Sequence, residues 1–251
     1  MQVLMLGLFL GTVTLCLAAP QRFDDIRGRI INGIEVDISE VPYQVAVLFQ
    51  DHQVCGGVLI SPTVVLTALH CWLPPETNQN ISEYSVRVGS TYWEKGGQQI
   101  FADSVVYNIP KGETSLENDV AIIKLKSQVS VPNAIPIVLD DVDTVHEDGE
   151  LVTLSGWGAT QFPLNASAPV DFPLKEVNLT VTACDEGSSN KFICFAQNGS
   201  GPCYGDSGGP AVINGKLVGL AYSTVCGSNI YSAYYTRIAA FRGWIRDETG
   251  I

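Results

Sequence analysis

Cys203-Tyr204-Gly205-Asp206-Ser207-Gly208-Gly209-Pro210 is the most informative stretch of the 251-residue chain. A serine hydroxyl is a poor nucleophile until a neighbouring base takes its proton. Glycines on both sides of Ser207 let the backbone turn tightly and expose the hydroxyl. They also let amide N–H groups face an oxygen that is gaining negative charge. A Gly-rich surface turn would account for a bare Gly-x-Ser-x-Gly. It does not account for the whole stretch with its leading cysteine.

A base for Ser207 must come from somewhere else in the chain, and only His52, His70 and His146 offer an imidazole. Thr67-Ala68-Leu69-His70-Cys71 follows a β-branched run, which puts His70 at a strand end beside a half-cystine. Asn118-Asp119-Val120-Ala121-Ile122-Ile123-Lys124-Leu125 sets one carboxylate at the head of an apolar strand. Alone, such a histidine is more often structural, and such an aspartate caps a turn. With the serine segment they supply base, orienter and nucleophile in the order His, Asp, Ser.

The remainder of the chain reads as short apolar or alternating runs separated by Gly, Pro, Asn and Asp. Examples are Tyr43–Phe49, Val58–Ile60, Thr63–Thr67, Ser85–Val88, Val120–Leu125, Leu151–Leu154, Ala211–Ile213 and Lys216–Tyr222. Runs of this length and composition predict antiparallel strands, and Asn214-Gly215 predicts a hairpin turn. Only Ile238–Thr249 has helical spacing, with Phe241, Trp244 and Ile245 on one face. A composition boundary near Val131-Pro132-Asn133-Ala134 suggests two all-β halves. An α/β-hydrolase is disfavoured, since it needs βα repeats and the order Ser, acid, His. The acidic run Asp140 to Glu150, which contains His146, reads as a solvated loop without calcium-loop spacing.

The amino terminus reads as processing signals. Met1 to Gln21 carries no charge, and its apolar stretch ends at the small-x-small site Cys16-Leu17-Ala18. A membrane helix is the competing reading, but Gly7, Gly11, Thr12 and Thr14 interrupt the stretch. Cleavage there would remove Cys16 and leave six cysteines, Cys55, Cys71, Cys184, Cys194, Cys203 and Cys226. An even set behind a signal peptide predicts disulfides in an oxidising compartment, although spacing leaves the pairing open. No zinc pattern is present. Sequons at Asn80, Asn165, Asn178 and Asn198 agree with secretion. The formal charge of −12 excludes non-specific nucleic-acid or anionic-membrane binding.

From about Ile30 to Ile245 the chain resembles the secreted serine proteases of the chymotrypsin–trypsin family. Cys55-Gly56-Gly57 and Gly156-Trp157-Gly158-Ala159-Thr160 add to the likeness. The resemblance implies an all-β fold: two six-stranded antiparallel β-barrels, about 30–132 and 133–237, with a C-terminal α-helix about 238–249. It implies disulfides Cys55–Cys71, Cys184–Cys194 and Cys203–Cys226. It also implies that Ser207 attacks the scissile carbonyl, that His70 relays the proton, and that Asp119 orients His70. The N–H groups of Gly205 and Ser207 would form the oxyanion hole. Arg29-Ile30-Ile31-Asn32-Gly33 resembles the activation site: after a cut at Arg29 the new ammonium of Ile30 would pair with Asp206. The expected organisation is a signal peptide over 1–19, a propeptide over 20–29 and a peptidase domain over 30–251.

The likeness places Gly201 at the base of the primary specificity pocket, with Thr224 and Ala233 on its walls. Trypsin-like enzymes carry Asp at that base, so cleavage after neutral, small-to-medium apolar residues, chymotrypsin- or elastase-like, is expected here instead. Two departures stand out. Leu69 replaces a small residue before the histidine, where it would crowd the ring. Tyr222 or Ser223 replaces the serine of the usual Ser-Trp-Gly edge. The alternative function is a non-catalytic binding protein on the same scaffold, although such proteins usually lose a triad member. No metal or cofactor is expected; the loop after Val88-Gly89 has only Glu94 as a carboxylate. Expected partners are protein or peptide substrates, an activating trypsin-like protease and protein inhibitors of proteases, with no nucleic acid and no membrane. The expected state is a secreted extracellular monomer, with digestive, venom, salivary and immune roles all open.

Overall fold

The structure, a computed structural model, describes residues 30–72, 80–109, 117–159 and 173–251. Residues 1–29, over which a signal peptide and propeptide are expected, and Asn165 lie outside the described residues. Strand β1 (Ile34–Glu35) precedes a closed six-stranded antiparallel barrel. That barrel comprises β2 (Gln44–Phe49), β3 (His52–Ser61), β4 (Val64–Thr67), β5 (Tyr84–Val88), β6 (Gln98–Tyr107) and β7 (Ala121–Leu125). Around it the order is β2-β3-β4-β7-β6-β5, with β5 pairing back onto β2.

A two-residue strand, β8 (Val138–Leu139), leads into the second half: β9 (Leu151–Gly156), β10 (Lys175–Thr182), β11 (Phe192–Ala196), β12 (Pro210–Ile213), β13 (Lys216–Ser223) and β14 (Ser232–Arg237). These six close in the order β9-β10-β11-β14-β13-β12. The chain ends in helix α1 (Ile238–Thr249), which Gly250 terminates in the left-handed conformation. The two barrels and the terminal helix are the architecture the resemblance implies. Strand β1 lies outside its own barrel: Ile34 and Glu35 pair with Glu176 and Lys175 of β10, so the start of the chain is fastened to the second barrel.

Strand alternation divides the core. On β2, Val45 and Val47 fill the first barrel, while Ala46 and Leu48 pack outward against Val36, Ile38, Trp157 and Leu174. On β7, Ile123 points into that barrel and Ile122 into the seam between barrels. The seam also holds Val58, Leu66, Leu217 and Leu220, and α1 closes it with Ile238, Phe241 and Ile245. A buried hydrogen bond crosses the junction, from the Ser155 hydroxyl to Gln44 Oε1 at 2.6 Å. The second barrel is filled from all six of its strands, β9 to β14, with Phe195 and Tyr235 its largest members.

Three disulfides join Cys55 to Cys71, Cys184 to Cys194 and Cys203 to Cys226. Asn80, Asn178 and Asn198 are all exposed. The acidic segment is mostly exposed, as expected of a solvated loop, but His146 within it is mostly buried, with Nδ1 3.0 Å from Glu150 and Nε2 3.1 Å from Asp140.

Candidate active site

Strand β4 delivers the chain into a short 3₁₀ turn, Leu69–Trp72, that carries His70. The Cys55–Cys71 bridge ties this turn to β3. Leu69 is fully buried, whereas the His70 side chain keeps 40% of its exposure, so the added bulk goes into the interior. Asp119 stands just before β7 and is 2% exposed. Its Oδ1 accepts the His70 backbone N–H at 2.7 Å, and its Oδ2 lies 2.7 Å from Nδ1. A carboxylate only accepts, so the proton belongs on Nδ1 and the neutral ring presents the Nε2 lone pair to the cleft.

Other contacts fix the aspartate. The Thr236 hydroxyl donates to the Asp119 carbonyl at 3.0 Å, and the Lys191 ammonium donates to Asn118 Oδ1 at 3.0 Å. Orientation of His70 is therefore supplied from β14 and from the loop before β11, both in the second barrel.

Ser207 lies in the turn before β12. Gly205 (φ +95°) and Gly208 (φ +74°) both occupy backbone space that favours glycine. A Cβ on Gly208 would overlap the Thr67 hydroxyl and crowd the Ala68 nitrogen, so the loop presses against the strand end bearing His70. The Gly56 N–H donates to the Ser207 carbonyl at 2.8 Å, and the Cys71 sulfur lies 3.8 Å from the same oxygen. Among the described residues no hydrogen bond joins the Ser207 hydroxyl to His70. In unliganded sites of this chemistry that contact is commonly long and tightens when substrate binds.

Asp206, 2% exposed, accepts the N–H of Gly158 at 2.6 Å and of Cys203 at 2.9 Å. A Cβ on Gly156 or Gly158 would run into its carboxylate. Ile30 is 1% exposed, and its N–H is directed at 3.2 Å to the carbonyl of Gly158, the residue whose own N–H Asp206 accepts.

Next to Ser207 opens a cavity of about 140 Å³ bordered by Pro202, Tyr222, Thr224, Cys226 and Tyr235. Among the described residues, Asp206 is the one acid on its border, and it is engaged with the amides just described. Gly201 pairs with Ile31 in an isolated bridge. Sequence reasoning missed Gln197, a buried amide that accepts the Thr224 hydroxyl at 2.9 Å and donates to the Tyr231 carbonyl at 2.9 Å. It lies four residues before Gly201 with no chemical signature to mark it.

Between the two candidates for the edge position, Tyr222 is the one that reaches the histidine. Its ring sits edge-on to His70 at 6.4 Å between centroids and stacks on Phe192 at 4.9 Å, at a bulge between Ala221 and Ser223. Burial, then the Asp119 charge, raises the Tyr222 pKa, which keeps the phenol neutral at ordinary pH. Among the described residues, the one His/Cys/carboxylate group compact enough for a metal is Cys55–His70–Cys71, and its sulfurs are joined in the disulfide.

The family model for trypsin matches residues 30–245, which contain every residue of this site. The chain belongs to the trypsin family of serine proteases. It is 32% identical to a trypsin of Phaedon cochleariae over 251 residues, covering 95% of both chains. Mouse neuropsin, a serine protease, matches in structure with a TM-score of 0.73 at 26% identity, over 87% of this chain and 99% of the other. A scabies mite inactivated protease paralogue, S-D1, matches with a TM-score of 0.74 at 26% identity, over 88% and 97%. Proteases of this family act on proteins and peptides, and this member has the family's fold.

Proposed function

We propose that this trypsin-family protein is a secreted serine endopeptidase made as a zymogen, with His70, Asp119 and Ser207 as its catalytic triad. The observation that carries the reading is the two-point grip of Asp119 on His70, which occupies Nδ1 and leaves Nε2 to act as the base. Ser207 adds to the scissile carbonyl and His70 takes its proton. The oxyanion is held by the N–H groups of Gly205 and Ser207, and His70 returns the proton to the departing amine. Water then repeats the sequence on the acyl-enzyme.

Activation follows from a cut after Arg29. Ile30 sits at φ +54°, a conformation that places the Cβ of a β-branched residue against the preceding carbonyl. Cleavage removes that carbonyl and frees an ammonium beside the buried Asp206 carboxylate.

Selectivity for neutral residues, chymotrypsin- or elastase-like, is the preference we assign. Thr224 borders the cavity, whereas Gly201 and Ala233, which the family likeness puts at its base and wall, are not among its bordering residues, Ala233 being buried in the core of the second barrel. Gln197 is a neutral amide that holds Thr224 in place. This preference departs from the likeness to relatives named trypsins because, among the described residues, Asp206 is the one acid bordering the cavity and it accepts backbone amides. Protein protease inhibitors are the expected macromolecular ligands, and the expected state is an extracellular monomer.

A cleavage profile of the Arg29-cut protein on a random peptide library tests the selectivity. Cutting after small or medium apolar residues is expected; dominant cutting after Lys or Arg would overturn it. A second reading, a non-catalytic scaffold, gains support from the missing Ser207–His70 hydrogen bond and the Tyr222 ring beside the imidazole. Reaction with a fluorophosphonate separates the two. Labelling that disappears in Ser207→Ala is expected, and labelling no stronger than in that variant would favour the scaffold.

A further inference from the structure

Strand β3 does more than pair within the first barrel. It reaches across the cleft and grips the nucleophile loop at two carbonyls. The Gly56 N–H donates to the Ser207 carbonyl at 2.8 Å, and the Gln53 side-chain amide donates to the Gly205 carbonyl at 2.7 Å. Just upstream, the Ala159 N–H donates to the Tyr204 carbonyl at 2.6 Å, and the Asp206 N–H bonds back to the Cys203 carbonyl at 3.0 Å.

These bonds constrain the peptide groups on both sides of Gly205. In a trans peptide the N–H points opposite to the C=O of the same unit. Anchoring the Tyr204 carbonyl to Ala159 therefore turns the Gly205 N–H away from Ala159. A glycine at φ +95° rotates readily at its own φ and ψ, so one anchored neighbour leaves a degree of freedom. The Gln53 amide removes it by holding the next carbonyl.

We infer that Gln53 is a positioning residue for the oxyanion hole, one that acts on the developing oxyanion through the Gly205 peptide without touching substrate. The inference rests on the proposed role of the Gly205 N–H. Gln53 suits the task because an amide donates a hydrogen bond at any pH near neutrality, whereas a carboxylate at the same reach offers only acceptors to that carbonyl.

The test uses the full chain cut after Arg29, comparing wild type with Gln53→Leu, which keeps the bulk without the donor, and Gln53→Glu. In Gln53→Leu, kcat for a peptide substrate is expected to fall about three- to tenfold, the effect of one hydrogen bond, with KM within about twofold. Affinity for a peptide aldehyde, which forms the tetrahedral adduct, should fall in step with kcat, while that for a non-covalent product peptide should not. Gln53→Glu should lose at least as much. If Gln53→Leu does not fold, Gln53→Asn, too short to reach the carbonyl, takes its place with the same expectations. An active wild type matched in kcat and aldehyde affinity by these variants overturns the inference alone. So does an equal loss of aldehyde and product affinity, which would mean a general distortion. A wild type that hydrolyses no peptide overturns the protease reading as well.

Discussion

Asp119 grips both the backbone and the ring of His70, so its value to the site lies in choosing a tautomer as much as in its charge. In Asp119→Asn the amide can offer an N–H to Nδ1 and so stabilise the wrong tautomer. The expected result is a loss of about 10⁴-fold in kcat with KM little changed, measured by steady-state peptide hydrolysis. Gly158 is a second sensitive point, because a methyl group there would displace the Asp206 carboxylate. Gly158→Ala should lose at least about 10²-fold in activity, on the scale of one oxyanion donor, while its circular dichroism stays that of wild type. His70, Asp119 and Ser207 could be picked out in the sequence because each lies in a short segment of unusual composition. Gln53 and Gln197 could not, and Tyr222 stood out only as one of two choices, with Ser223, for the edge position. They act through long-range contacts to Gly205, Thr224 and His70, and such contacts leave no mark at the level of neighbouring residues.

At the scale of elements, the loop between β5 and β6 is organised around one cation. Arg87 donates through Nε to the Trp93 carbonyl at 2.7 Å, through Nη1 to Gly96 at 2.7 Å and through Nη2 to Gln99 Oε1 at 2.9 Å. Arg87→Met removes all three bonds and should lower unfolding free energy by about 2 kcal/mol in urea titrations, with kcat unchanged. The strands with dense apolar runs, such as β2, β4 and β7, were legible in the sequence. Strands β6, β10 and β14 were not, because each interleaves its buried residues with partly or fully exposed Gln, Lys, Glu, Asn, Ser or Arg. Their strand state comes from pairing with neighbours rather than from composition. β11 is too short to show a period, although Ile193, Cys194 and Phe195 are buried. The acidic segment is largely exposed, as its charge density suggested, but the burial of His146 between Asp140 and Glu150 was not legible.

For the molecule as a whole, the two barrels meet along an apolar seam, and the proposed catalytic groups are divided between them: His70 and Asp119 come from the first and Ser207 from the second. Alkaline stability reports on the packing that keeps them together. Burial, then the Glu176 charge, pushes the Tyr43 pKa up to about 12, and burial with the Asp206 charge raises Tyr235 well above its ordinary value. A folded-state pKa above the unfolded value means that the stabilisation is intact below about pH 10 and is lost as pH rises towards 12. Unfolding free energy should therefore fall across that interval. Tyr43→Phe should flatten the fall by on the order of 2 kcal/mol, read from urea titrations at several pH values. The convergence of residues 70, 119 and 207 is tested most directly by a crystal structure of the Arg29-cut protein treated with a peptide boronate. The predicted result is a bond from Ser207 Oγ to boron, one boronate oxygen facing the N–H groups of Gly205 and Ser207, and His70 Nε2 within about 3.2 Å of the adduct. An unmodified Ser207, with the imidazole out of hydrogen-bond reach of its hydroxyl, would contradict it.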